Sequence, residues 1–132
     1  MIGIDTNILV RYFTNDDLVQ SKKAAELITS YSNIEASMFI NNIVLCQLIW
    51  VLERGYKYQK AQIVVLLKEL LLTIEFFFEN HEILWLSCLD YEKYPADFAD
   101  ILIGKLNNKS GCVKNFTFDK TAASALGFEL LH

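Results

Sequence analysis

Apolar runs three to six residues long recur along this chain, each separated from the next by one or two stretches of helical periodicity. Short apolar runs of this kind read as buried strands. A strand that follows another only after a helix needs a crossover connection, which makes the two parallel. The runs are Ile2–Asp5, Ala36–Ile40, Thr73–Phe78, Val113–Phe118 and Phe128–Leu130. The helical stretches are Asn7–Thr14, Leu18–Ser30, Ile43–Arg54, Lys60–Leu72, Asn80–Lys93, Asp97–Asn107 and Lys120–Leu126. Together they predict an α/β three-layer sandwich around a central, mainly parallel sheet. The stop and start signals agree. Asp16 and Asp17 precede the second helix, Asn41 or Asn42 the third, and Gly55 and Gly127 follow helix ends. A single proline, Pro95, and five glycines are too few for an all-β fold built on tight turns.

No repeat or linker divides the 132 residues, which suit one domain over residues 1–132. A chain that is 53% hydrophobic and 21% charged is not disordered. Its net charge of −4 disfavours a protein that coats nucleic acid through a broadly basic surface. A small basic patch or a metal-assisted site remains compatible with that charge. Cys46, Cys88 and Cys112 stand far apart without a C-x-x-C pair, as free thiols in a reducing compartment do. The N-terminus lacks a basic segment followed by an apolar one. The greasiest stretch, Ile63 to Phe78, is broken by Lys68, Glu69, Thr73 and Glu75 and is too short to span a bilayer. A soluble, cytoplasmic protein with no membrane partner is expected.

In parallel sheets ligands bind beyond the carboxyl ends of the strands. Two of the apolar runs reach an aspartate there, Asp5 and Asp119. As parallel neighbours they would share one rim, and Asp97 and Asp100, at the start of a helix, would open onto it. Converging carboxylates repel one another unless a cation lies between them. Hard oxygen donors of this kind suit Mg²⁺ or Mn²⁺, and such a site suits phosphodiester hydrolysis. Each residue also has a structural alternative. Asp5 and Asp119 are placed to cap the helices that follow them, and Asp97 with Asp100 fits the first turn of its own helix. Gln47 interrupts an otherwise apolar run from Ile43 to Leu52. A buried amide needs a partner, so it belongs either to a site or to a backbone-bonded core. Arg54, Lys57 and Lys60, interleaved with Tyr56 and Tyr58, form either a contact patch for an RNA backbone or a solvated helix end.

The opening Met1-Ile2-Gly3-Ile4-Asp5-Thr6-Asn7-Ile8-Leu9-Val10 resembles the first motif of PIN-domain ribonucleases, especially the VapC-type toxins of toxin–antitoxin pairs. Asp97-Phe98-Ala99-Asp100-Ile101-Leu102-Ile103 resembles their third acidic motif, and Phe116-Thr117-Phe118-Asp119-Lys120-Thr121-Ala122-Ala123 the fourth. The resemblance implies a metal-dependent endoribonuclease using Mg²⁺ or Mn²⁺. It implies that Asp5, Asp100 and Asp119 coordinate metal, that Asp97 is an additional ligand, and that Asn7 and Thr117 support the site. The run around Gln47 resembles the second motif, but with glutamine where the family has glutamate. An amide brings no charge and cannot act as a base. The chain is therefore either a weakened or silenced nuclease, or a non-catalytic PIN-fold protein that binds RNA or antitoxin. A phosphatase using Asp5 as nucleophile is disfavoured, because Asn7 stands where a second aspartate is needed. The resemblance further implies a homodimer and a cognate antitoxin, whose basic side chain would meet the acidic rim. Independently, Ile49, Trp50, Leu66, Leu67 and Leu70 carry more apolar surface than one sheet face covers, which also points to a dimer contact.

Overall fold

Asp5 lies two residues beyond the first strand and caps the first helix. Its backbone is extended (φ −83°, ψ 161°) and its carboxylate accepts the Thr6 amide, so β1 (Ile2–Gly3) passes into α1 (Thr6–Thr14) with no loop to spare. The computed structural model describes residues 1–132, and its backbone contacts group into two compact units, 1–81 and 82–132.

In the first unit, α2 (Leu18–Ser30), β2 (Met38–Ile40), α3 (Asn42–Arg54), α4 (Lys60–Leu72) and β3 (Phe76–Phe78) follow α1. The strands lie in the order β1-β2-β3 and every pairing is parallel, with Ile2 beside Met38 and Met38 beside Phe76. Side chains alternate across a strand, so Met38, Ile40, Phe76 and Phe78 are buried. Phe39 and Phe77 point the other way with ring centroids 5.9 Å apart. Leu9, Leu45, Leu48, Leu52, Ile63 and Leu67 from the helices complete this core.

The second unit takes in α5 (His81–Lys93) from its second residue on, followed by α6 (Phe98–Lys109), β4 (Phe116–Thr117), α7 (Lys120–Leu126) and β5 (Glu129–Leu130), and β4 pairs with β5 in parallel. Tyr91 and Phe98 meet edge to face at 5.9 Å, and Lys105 binds Asp90 at 2.8 Å, so α5 and α6 are joined by an apolar and an ionic contact.

The α/β alternation and the parallel pairing are as the sequence predicts, but the strands form two sheets rather than one. The expected ladder between the first and fourth strands is not formed, so no single sheet edge carries both Asp5 and Asp119. The strands are also shorter than expected. Ala36 has φ 54°, a left-handed conformation that keeps it out of β2. Val113 is 95% exposed and precedes β4 rather than belonging to it. Of the two candidate caps of α2, Asp17 accepts the Gln20 amide at 3.0 Å, while Asp16 pairs with Arg11. The surplus of apolar surface is smaller than predicted: Ile49, Leu66, Leu67 and Leu70 are buried, and only Trp50 of that set is exposed. No helix is long and apolar enough to cross a membrane.

Candidate functional site

The first unit supplies Asp5, Thr6 and Gln47. The Asp5 carboxylate accepts the Thr6 amide at 2.7 Å, and the Thr6 hydroxyl donates to Oε1 of Gln47 at 2.6 Å. Thr6 thus couples the end of β1 to the second turn of α3. Gln47 is exposed, which corrects the expectation of a buried amide. The reason is helical geometry. Val44, Leu45, Leu48, Ile49 and Leu52 form the buried face of α3. Ile43, Gln47, Trp50 and Arg54 fall at four- and three-residue spacing on the opposite strip, where Ile43 is 70% and Trp50 60% exposed. Asn7, one residue beyond Thr6, is exposed and lines a cleft of about 340 Å³ with Arg11, Gln20 and Lys23.

The second unit supplies Asp97, Asp100, Thr117 and Asp119. Asp97 occupies the N-cap position of α6, yet its carboxylate makes no capping hydrogen bond. Asp100 follows in the first turn. Burial raises its carboxyl above the ordinary carboxylate range, and the negative charges of Asp97 and Asp119 push it in the same direction. Asp119 caps α7, its Oδ1 accepting the amides of Thr121 at 2.8 Å and Ala122 at 3.1 Å. The Thr117 hydroxyl accepts the Asp119 amide at 3.0 Å, which fixes the backbone carrying that carboxylate. The capping alternatives for Asp5 and Asp119 are therefore realised, and each retains a second carboxylate oxygen beyond the one that caps.

The chain matches the PIN-domain family over residues 2–126. It belongs to the PIN-domain family. No curated protein matches it. PIN domains are in general nucleases that use divalent metal ions. The donor chemistry of this PIN domain fits such an ion, because Asp97, Asp100 and Asp119 are hard oxygen donors, and burial together with the charges of Asp97 and Asp119 opposes the ionisation of Asp100. No group of three or more His, Cys, Asp and Glu side chains is arranged to hold a metal. Mg²⁺ does not require one, since it keeps several waters and binds directly to one or two carboxylates.

The basic residues lie where α3 gives way to α4. Arg54, Lys57 and Lys60 are exposed, and Arg54 continues the strip that carries Gln47. Tyr56 serves structure, because its hydroxyl donates to Asp16 and accepts from Arg11 at 3.3 Å. Thr6 is the residue that sequence reasoning overlooked. Its signal was slight, a hydroxyl directly after Asp5, and its partner lies 41 residues away.

Proposed function

We propose that this PIN domain is a Mg²⁺- or Mn²⁺-dependent endoribonuclease of the VapC toxin type, weakened by glutamine at position 47. The observation that carries the reading is the PIN-domain match over residues 2–126. Within it, Asp97, Asp100 and Asp119 come from two separate acidic motifs, and the charges of Asp97 and Asp119 oppose the ionisation of Asp100. Those three are the residues that would hold the cation; a metal role for Asp5 rests on the first-motif resemblance alone. When bound, the ion supplies positive charge at the scissile phosphate and acidity to water. Thr117 holds the backbone of Asp119, and Thr6 holds Gln47 beside the end of β1. Gln47 accepts a hydrogen bond but takes up no proton, so base assistance is missing from that position. Arg54, Lys57 and Lys60 bind the RNA backbone by charge.

Cleavage of single-stranded RNA in Mn²⁺ tests the proposal. Gln47→Glu is expected to gain roughly 100-fold, in line with a restored acid–base group, and Asp5→Asn or Asp100→Asn should abolish that gain. If Gln47→Glu protein cleaves nothing and Asp5→Asn changes nothing, the catalytic reading is wrong. Gln47 itself favours a second reading, a non-catalytic protein of the same fold. Tight RNA or antitoxin binding with no heat of Mn²⁺ binding at millimolar concentration supports that one.

We also propose a cytoplasmic homodimer silenced by an antitoxin, whose arginine or lysine pairs with the acidic residues. The apolar surface supporting a dimer is Ile43 and Trp50 on α3 with Val65 and Leu72 on α4, all more than half exposed. Large apolar side chains left exposed on two helices favour an interface, and two-fold contacts are the commonest solution. Light scattering at micromolar concentration should give twice the chain mass, and Trp50→Glu should halve it. A wild-type monomer refutes the dimer.

A further inference from the structure

At the amino edge of the β1-β2-β3 sheet, opposite the edge where Asp5 stands, a cavity of about 240 Å³ opens between the ends of three helices. Tyr12 and Phe13 come from the last turn of α1, Thr29 from that of α2 and Glu69 from that of α4, with Thr73 and Glu75 leading into β3. Each helix C-terminus presents the negative end of its dipole, which in α1 is offset by Arg11 in the last turn. Neither α2 nor α4 has a basic residue in its last turn, and no lysine or arginine lines the cavity. Two carboxylates add to that field, and concave walls concentrate it. Asn33 donates its amide to Oε2 of Glu75 at 3.3 Å, which holds one of the carboxylates in place.

The remaining walls select among cations. The floor is apolar, built on the buried Phe76, and the rings of Tyr12 and Phe13 stand edge to face at 5.1 Å. A small hard metal ion gains nothing from aromatic and apolar walls, whereas a guanidinium group does. It is planar and weakly hydrated, stacks on rings, and donates bidentate hydrogen bonds to carboxylates. We propose that this cavity is a binding site for a guanidinium group, carried either by free arginine or by an arginine side chain of a polypeptide. The site is independent of the acidic residues assigned to catalysis, and it stands whether or not the chain is a nuclease.

Titration of the full-length chain with Nα-acetyl-arginine amide, followed by backbone amide NMR, tests the assignment. Saturable shifts are expected at Thr29, Thr73, Glu75 and Phe76. Glu69→Gln with Glu75→Gln should weaken binding about tenfold, the loss of two charge-assisted partners. Should that pair unfold the chain, Glu69→Gln alone, at an exposed position, and Tyr12→Leu should each weaken binding about threefold. Shifts centred on Asp97, Asp100 and Asp119, or affinity unchanged in a folded variant, overturn the proposal. So does an equal response to Nα-acetyl-lysine amide. The two sources separate by charge. Free arginine carries an α-ammonium and an α-carboxylate where the blocked derivative has two neutral amides, so tighter binding of the blocked derivative assigns the site to a polypeptide side chain. Equal or tighter binding of free arginine assigns it to the free molecule.

Discussion

Asp16 illustrates how one side chain holds a turn. It accepts from Arg11 at 2.9 Å, from the Thr14 hydroxyl at 3.0 Å and from the hydroxyl of Tyr56. The Tyr56 hydrogen bond is the largest cause that lowers its carboxyl below the ordinary range; burial opposes it, and Thr14 and Arg11 add to it. A carboxyl depressed in the folded state contributes stability that is complete above its unfolded value, near pH 4. That contribution is lost as pH falls through the lower, folded value. Tyr56→Phe should therefore have a lower urea midpoint than the parent at pH 7, and the gap should narrow as pH falls below 4. A gap that is constant from pH 7 to pH 2.5 would show that Tyr56 acts by packing alone. The sequence shows that Asp16 precedes a helix; it does not show that Tyr56, 40 residues away, takes its second oxygen.

At the scale of an element, α6 carries both Asp97 and Asp100 and is held close to the segment before β5. A Cβ built on Gly104 would lie 2.8 Å from Cε1 and 3.0 Å from Cζ of Phe128. Alanine normally gains about 1 kcal/mol over glycine in a helix. Overpacking against a ring costs about 1–3 kcal/mol, so Gly104→Ala should lose about 1 kcal/mol net. Urea unfolding should show this as a lower midpoint with an unchanged slope; a higher midpoint would mean that the Phe128 ring turns away without cost. The helices were legible in the sequence to within a residue or two, because their hydrogen bonds close over four residues and their caps are local. Asn41 caps α3 through the Val44 amide at 2.9 Å, and Gly127 ends α7 at φ 72°. The strands were legible only as apolar runs, since their ends depend on which partner the backbone finds.

Over the whole molecule, the acidic residues set stability against function. A carboxyl raised in the folded state, as Asp100 is, penalises folding once it ionises. That penalty is relieved as pH falls through the folded value, and it is gone below the unfolded value. Asp100→Asn should therefore melt about 2 °C higher than the parent at pH 7 without metal, while losing the nuclease activity proposed here. Millimolar Mn²⁺ should raise the melting temperature of the parent by linkage and leave Asp100→Asn unmoved. A parent protein indifferent to Mn²⁺ in thermal melts would separate the acidic residues from metal binding.

The residues alone determined the α/β alternation, the helix ends and the PIN motifs around Asp5, Asp100 and Asp119, because each rests on periodicity or on a contiguous pattern. They also revealed Gln47 as an anomaly, but not its surroundings. Ile49 and Trp50 are adjacent and equally apolar, yet one is buried and the other exposed. Successive residues on a helix point about 100° apart, and the direction of the core is set by non-local packing. For the same reason only the tertiary structure put Gln47 on the open strip of α3, brought the Thr6 hydroxyl to it and divided the strands between two sheets. Helices and caps close within a few residues, whereas these outcomes depend on partners tens of residues away, chosen by the burial of apolar area rather than by local propensity.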